Sequence, residues 1–293
     1  MTQSNGHSRT KLLVLDVDGT ILDRESQLRP RVRAAIRDAV AAGHHVTLAT
    51  GRRFRSASQL AAELELRLPL ILSNGALIKD SATEEIIYSN HLSVAAARTV
   101  ATIMIDLGIQ PVVFENAAVG DSIVTGPAEY DSDEAARYLR NPTAIVRRVD
   151  HAELFDGRDP LRLAAFGGPP TIQRLEGALE SVPDCRTVVN VTGTMVRVGG
   201  RLLEVLSPTC SKGEAMLHLA QRYNLGLADT IAIGDYYNDL EMLEVAGIGI
   251  VMANAPDDLK ARVRHVTTSN EEDGVALAIE RFLLAPAGPT SEI

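Results

Sequence analysis

Short apolar runs alternate with amphipathic stretches towards both ends of the chain. Leu12 to Leu15 is an apolar run ending at Asp16, the pattern of a strand buried on both faces. A polar loop follows. Pro30 then opens a predicted helix with Val32, Ile36, Ala39 and Val40 on its apolar face and Gly43 at its stop. Val46 to Ala49 reads as a second strand, ending at Thr50. A helix runs on through Leu60 and Leu64, and Pro69 to Leu72 reads as a third strand, ending at Ser73-Asn74-Gly75. The rhythm returns later. Helices are predicted over Lys212 to Tyr223, Asn238 to Ala246 and Gly274 to Leu284, strands over Thr230 to Ile233 and Ile248 to Met252, and a frayed tail over Ala285 to Ile293. This alternation predicts an α/β fold: a Rossmann-like parallel sheet with right-handed crossovers and helices on both faces.

The middle of the chain breaks the rhythm. Helix-like segments (Val94 to Leu107, Asp133 to Leu139, Ile172 to Leu179) alternate with strand-like ones (Val112 to Phe114, Ala144 to Val149, Leu161 to Phe166, Thr187 to Val191). Far more residues separate Thr50 from Lys212 than one crossover needs, so an inserted α+β domain is expected. Its expected range is 85–198, within a discontinuous core of 1–84 and 199–293. Gly199-Gly200 resembles a hairpin turn more than a phosphate cradle.

Composition narrows the partners. Hydrophobic residues make up 45% of the 293, enough for a substantial core, whereas aromatics are 4% and Trp is absent, which argues against a stacked-ring nucleic-acid platform. The net charge of −9 disfavours a nucleic-acid backbone or an anionic membrane, though not a small anion held by a local cation. Met1 to Thr10 is polar, and no run of 18 apolar residues exists, so no signal core or membrane span is expected. Cys185 and Cys210 read as free thiols. The expectation is a soluble cytoplasmic protein, monomer or homodimer, with neither nucleic acid nor membrane as partner. The seven histidines lack metal spacing, and His44-His45, beside a strand start, read as structural.

Four polar sites fall at the C-terminal ends of predicted strands, which share one edge of an open parallel sheet. Asp16-Val17-Asp18-Gly19-Thr20 offers two carboxylates: one can attack phosphorus and ligate a hard cation, the other can protonate a leaving oxygen and then deprotonate water. Acidic turns after strands are common without any such role. Thr50-Gly51-Arg52 offers a hydroxyl and backbone N–H groups to a phosphate oxygen, or simply a helix cap. Lys212 sits at a helix start, against the macrodipole, which suggests pairing with an anion; the alternative is an exposed surface lysine. Gly234-Asp235-Tyr236-Tyr237-Asn238-Asp239 crowds two carboxylates and an amide into one turn, a set suited to Mg²⁺ or to capping the next helix. Together they supply a nucleophile, an acid/base, a hydroxyl, a cation and a metal site. There is no Walker-type loop, no G-x-S-x-G and no C-x-x-C.

The set Asp16-Val-Asp-Gly-Thr20, Thr50-Gly-Arg52, Lys212 and Gly234-Asp-x-x-Asn-Asp239 resembles the haloacid dehalogenase-like superfamily, and its Cof-like phosphatases with a type IIB cap in particular. The resemblance implies that Asp16 attacks phosphorus and Asp18 serves as general acid, then general base. It implies that Thr50, Gly51, Lys212 and Asn238 hold the phosphoryl group. Mg²⁺ would bind the Asp16 carboxylate, the Asp18 backbone carbonyl and Asp235, with Asp239 in support and Asn74 lining the site. Met252-Ala253-Asn254-Ala255 departs from the family, which often has Gly where Ala253 stands. Because dehalogenases of the superfamily need no acid at the second position, Asp18 favours phosphoryl transfer. The expected activity is hydrolysis of a small phosphorylated metabolite, a sugar phosphate or similar phosphomonoester. A hexose-phosphate mutase and a catalytically idle binding or regulatory protein are the alternatives. Arg137, Arg147, Arg148 and Arg162 are candidate determinants in the insert, with exposed surface as the expected fate of each.

Overall fold

The computed structural model describes residues 10–115, 122–140, 145–155, 158–190 and 199–285. In chain order the strands are β1 (Leu12–Leu15), β2 (His45–Leu48), β3 (Leu70–Leu72), β4 (Leu77–Lys79), β5 (Ile86–Ser89), β6 (Val112–Phe114) and β7 (Ser122–Thr125). They continue as β8 (Ile145–Arg148), β9 (Arg162–Gly167), β10 (Arg186–Asn190), β11 (Arg201–Leu206), β12 (Thr230–Gly234), β13 (Ile248–Val251) and β14 (His265–Val266). The helices are α1 (Pro30–Ala41), α2 (Phe54–Glu63), α3 (Val94–Asp106), α4 (Asp133–Leu139), α5 (Pro169–Leu179), α6 (Lys212–Arg222), α7 (Leu240–Val245), α8 (Asp257–Lys260) and α9 (Gly274–Ile279). The expected tail beyond Ala285 lies outside the described residues. Among the described residues no helix is long and apolar enough to cross a membrane. The chain forms two compact units, one of Met1–Ala49, Leu60–Leu68 and Met216–Ile293, the other of Thr50–Gln59 and Pro69–Ala215.

The first unit holds a five-stranded sheet in the order β14-β13-β12-β1-β2, parallel throughout. All four residues of β1 are fully buried. At roughly 2 kcal/mol for each large apolar side chain buried, that run can only be a central strand. Helix α1 starts on Pro30 and buries Val32, Ala35, Ile36 and Ala39, packing against α9. Val40, expected on the same face, is exposed instead: Ala35 takes the seam position, and Val40 turns away with the helical period. Gly43, at φ +87°, closes the helix, its N–H bonded to the Val40 carbonyl. Helix α9 continues as one π-helical segment over Glu280–Leu284.

The second unit holds a mixed six-stranded sheet, β10-β11-β9-β6-β7-β8, in which only β7 and β8 run parallel. One face carries Val113, Leu163, Ala165, Leu203 and Val205, buried with Val100 and Met104 of α3 and Ile172 and Leu175 of α5. By pairing, β11 belongs to this sheet, which therefore runs past residue 198, the expected end of the insert. The third predicted strand departs from expectation. β3 does not join the parallel sheet but pairs antiparallel with β4, which pairs with β5. Ser73, Asn74 and Gly75 all take positive φ and turn the chain straight back on itself. The backbone N–H of Thr50 reaches the Ile71 carbonyl of β3.

Candidate active site

In the first unit, β1 and β12 run side by side with Leu15 opposite Ile233, so both strands end at the same edge. The Asp16 N–H extends the ladder by bonding the Ile233 carbonyl at 2.9 Å. Asp235 follows the end of β12. Carboxylate oxygens of Asp16, Asp235 and Asp239, all buried, lie within 4.8 Å of one another. Two unit charges at that distance repel by about 3 kcal/mol at an effective dielectric near 20. An all-oxygen, all-acidic, buried donor set suits a hard divalent cation such as Mg²⁺. Asp239 Oδ2 already accepts the N–H groups of Asp235 (3.0 Å) and Tyr236 (3.1 Å), holding the turn closed.

The loop after β1 is fastened to Asp235. Thr20 Oγ1 donates to Asp235 Oδ1 at 2.8 Å. Gly19 has φ +93°, and a Cβ there would collide with the Asp235 carboxylate, so glycine is required. Asn254 Nδ2 donates to the Gly19 carbonyl at 2.9 Å and to Asp235 Oδ2 at 3.4 Å. Asp18 is half-buried, its backbone bridged to Leu22, and it stands outside the carboxylate cluster. Asn238 is half-buried in the short turn Tyr237–Asp239. The Tyr237 hydroxyl donates to Asp258 at 2.8 Å, which holds its phenol above the usual range and ties it to α8.

In the second unit two turns are zipped together by backbone hydrogen bonds: Asn74 N–H to Thr50 carbonyl (3.0 Å) and Ser73 N–H to Arg52 carbonyl (3.1 Å). Thr50 is buried, and its Oγ1 accepts the Arg52 N–H at 3.1 Å, leaving the hydroxyl proton to be donated. The Asn74 amide packs on the backbone of Gly51, where a Cβ would sit 3.2 Å from both amide heteroatoms. Lys212 opens α6 and is fully buried, which rejects the surface-lysine alternative. Ser211 caps that helix by accepting the Glu214 N–H at 3.1 Å. Gly75, at φ +98°, lies so close to the Ser211 carbonyl that a Cβ would collide with it. Asn74, Gly75 and Lys212 therefore belong to one packed neighbourhood.

The first unit thus gathers Asp16, Asp235 and Asp239 and carries Asp18 and Asn238 nearby in sequence; the second gathers Thr50, Gly51, Asn74 and Lys212. Sequence reasoning gave no role to Thr20, Asn254 or Glu204, which accepts from Asn74 Nδ2 at 2.6 Å. Thr20 lay inside a motif already singled out. Glu204 left no signal beyond a charge interrupting an apolar run. Of the four arginines, Arg137 is exposed, Arg147 pairs with Glu115 at 2.8 Å and Arg148 with Asp131 at 2.5 Å. Arg162 corrects the expectation: it is buried and paired with Glu204. Neither Cys185 nor Cys210 is in a disulfide, and His44 is a buried structural acceptor of the Lys11 N–H.

Residues 13–279 match the family of haloacid dehalogenase-like hydrolases. The chain is 30% identical over 290 residues to the 5-amino-6-(5-phospho-D-ribitylamino)uracil phosphatase YwtE of Bacillus subtilis, covering 93% of this chain and 98% of that one. Among solved structures, a haloacid dehalogenase-like hydrolase from Bacteroides thetaiotaomicron superposes with a TM-score of 0.73 at 25% identity, over 94% of this chain and 100% of that chain. A subclass IIB sugar phosphatase of the same superfamily shares the fold, with a TM-score of 0.76 at 22% identity over 94% of this chain and 100% of that chain.

Proposed function

The chain belongs to the haloacid dehalogenase-like hydrolase family and is a phosphatase of its Cof-like, IIB type, and we propose that it hydrolyses a small phosphomonoester through a phosphoaspartate on Asp16. The observation that carries this reading is the convergence of the buried Asp16, Asp235 and Asp239 carboxylates where β1 and β12 end. A sugar phosphate or a similar phosphorylated metabolite is the substrate class we favour. YwtE acts on a phosphorylated ribitylamino-uracil, as its name states, and that compound has the same terminal phosphate chemistry.

In this reading Asp16 attacks phosphorus in line, and Asp18 gives its proton to the departing oxygen. Asp18 then takes a proton from water, which attacks the phosphorus of the acyl phosphate and regenerates the Asp16 carboxylate. Thr50 and Gly51, Lys212 and Asn238 hold the phosphoryl oxygens, and Asn74 lines the site. Mg²⁺ held by Asp16, the Asp18 carbonyl and Asp235 would offset the charge that otherwise keeps a phosphate away from three carboxylates. The inserted domain, from residue 85 and carried by its sheet through β11, serves as the cap that excludes water and selects the leaving group. A cytoplasmic monomer or homodimer completes the reading.

The test is phosphate release from a panel of phosphomonoesters by purified protein with Mg²⁺, run beside Asp16→Asn. Turnover by the wild type and none by the variant is expected. Isomerisation of a hexose 1-phosphate without free phosphate would replace the phosphatase by a mutase, and silence on every substrate would favour a binding protein.

A further inference from the structure

One face of the six-stranded sheet carries a buried polar network that reaches both turns of the second unit. Residues opposite each other in register share a face, so the pairings Arg162–Phe114, Ala164–Glu204 and Leu202–Asn190 put Arg162, Glu204, Asn190 and Phe114 on the same side. The apolar core with α3 and α5 occupies the other side. The side chains of Arg162 and Glu204 are 3% and 1% exposed and form an ion pair. The Arg162 guanidinium lies over the Phe114 ring, 4.2 Å from its centroid, and Nη1 donates to the Gly51 carbonyl at 3.3 Å. Glu204 Oε2 accepts from Asn74 Nδ2 at 2.6 Å and from Asn190 Nδ2 at 2.5 Å.

A buried ion pair is a poor source of stability, because desolvating both charges offsets their attraction and an apolar pair of the same size does as well. Something else must explain its place. The contacts supply it: the arginine touches the Thr50-Gly51-Arg52 turn and the glutamate touches the Ser73-Asn74-Gly75 turn. An ionised carboxylate only accepts hydrogen bonds. Glu204 therefore fixes which way the Asn74 amide faces, with Nδ2 towards the sheet and Oδ1 away from it. We propose that Arg162 and Glu204 are positioning residues of the phosphatase, holding the Gly51 carbonyl and the Asn74 amide so that the two turns present a fixed phosphoryl cradle. This rests on the reading that those turns bind the phosphoryl group.

Glu204→Leu alone leaves the guanidinium buried without its counter-charge and can fail to fold, so the primary variant is the double Arg162→Met/Glu204→Leu. It removes both charges at similar volume, which buried pairs tolerate. Loosening a positioned group by an ångström costs about a hundredfold in rate. The double variant is expected to melt close to the wild type, to lose about a hundredfold in kcat/KM and to bind inorganic phosphate as a competitive inhibitor about tenfold more weakly. Adding Asn74→Ala is expected to cost the double variant little more, because both changes release the same amide. A well-folded double variant with kcat/KM and phosphate inhibition within about twofold of wild type overturns the proposal. So do losses that multiply with Asn74→Ala. Asp16→Asn serves as the control for the underlying reading. If it retains activity, that reading fails and this proposal with it; if it is dead while the double variant is normal, this proposal alone fails.

Discussion

Thr20 Oγ1 donates a 2.8 Å hydrogen bond to Asp235 Oδ1, and both residues are buried. The bond joins the loop after β1 to the turn after β12, so the proposed nucleophile's loop and the proposed metal carboxylate hold one another in place. Thr20→Val keeps the shape and deletes the donor. Groups that orient a metal ligand typically account for ~10–100-fold in metal affinity. The Mg²⁺ concentration for half-maximal activity is expected to rise about tenfold in Thr20→Val, with kcat at saturating Mg²⁺ much less affected. An unchanged Mg²⁺ dependence would show that Thr20 only packs.

The clustered carboxylates make a thermal prediction. An ion bound only by the folded state stabilises it by about 2.7 kcal/mol at a hundred times its dissociation constant. Mg²⁺ is therefore expected to raise the melting temperature over that in EDTA by several degrees. Asp235→Asn should abolish the rise and should not lower the melting temperature in EDTA, because it removes one of three close negative charges. A Mg²⁺ shift of full size in Asp235→Asn would remove Asp235 from the metal site.

His44 sets a pH dependence in the first unit. Its Nδ1 accepts the Lys11 N–H at 3.3 Å, a role open only to the neutral ring. Burial first, and then the charges of Lys11 and His45, push its pKa below the ordinary 6.5. Burial lowers His45 and His265 as well. Each unfolded ring takes up a proton at a pH where the folded ring stays neutral. Unfolding therefore absorbs protons, and stability falls as pH drops through about 6.5 towards the lowered values. His44→Asn supplies an acceptor that does not titrate. Between about pH 7 and pH 5 its melting temperature should fall less steeply than that of the wild type, as followed by circular dichroism. Parallel slopes for the two proteins would clear His44 of the effect.

The parallel sheet was legible because β1, β2, β12 and β13 are short apolar runs, buried on both faces and bounded by polar turns. Periodicity fixes burial but not a strand's neighbours. β3 therefore reads as a further member of that rhythm, when a tight reversal at Ser73 to Gly75 folds it onto β4. β11 went unseen for a different reason: Glu204 interrupts Leu202, Leu203, Val205 and Leu206, and a charge in a strand normally marks solvent. Arg162, expected at the surface, is buried in β9. Each residue is buried because the other neutralises it, a relation between strands 42 residues apart in sequence that no local pattern carries. The candidate site was legible from motifs because its residues sit at strand ends and turns, where spacing dictates placement. Of its fastenings, Thr20 lies inside the Asp16–Thr20 motif, whereas Asn254 carries no such signature.

The central claim is a covalent bond between Asp16 and phosphorus. Acid quenching during turnover, followed by borohydride reduction, converts an aspartyl phosphate to homoserine, which peptide mass spectrometry locates. The account predicts homoserine at position 16 with substrate and Mg²⁺ present, and none without substrate. Steady phosphate release with Asp16 unmodified throughout, or the modification at another carboxylate, would contradict it.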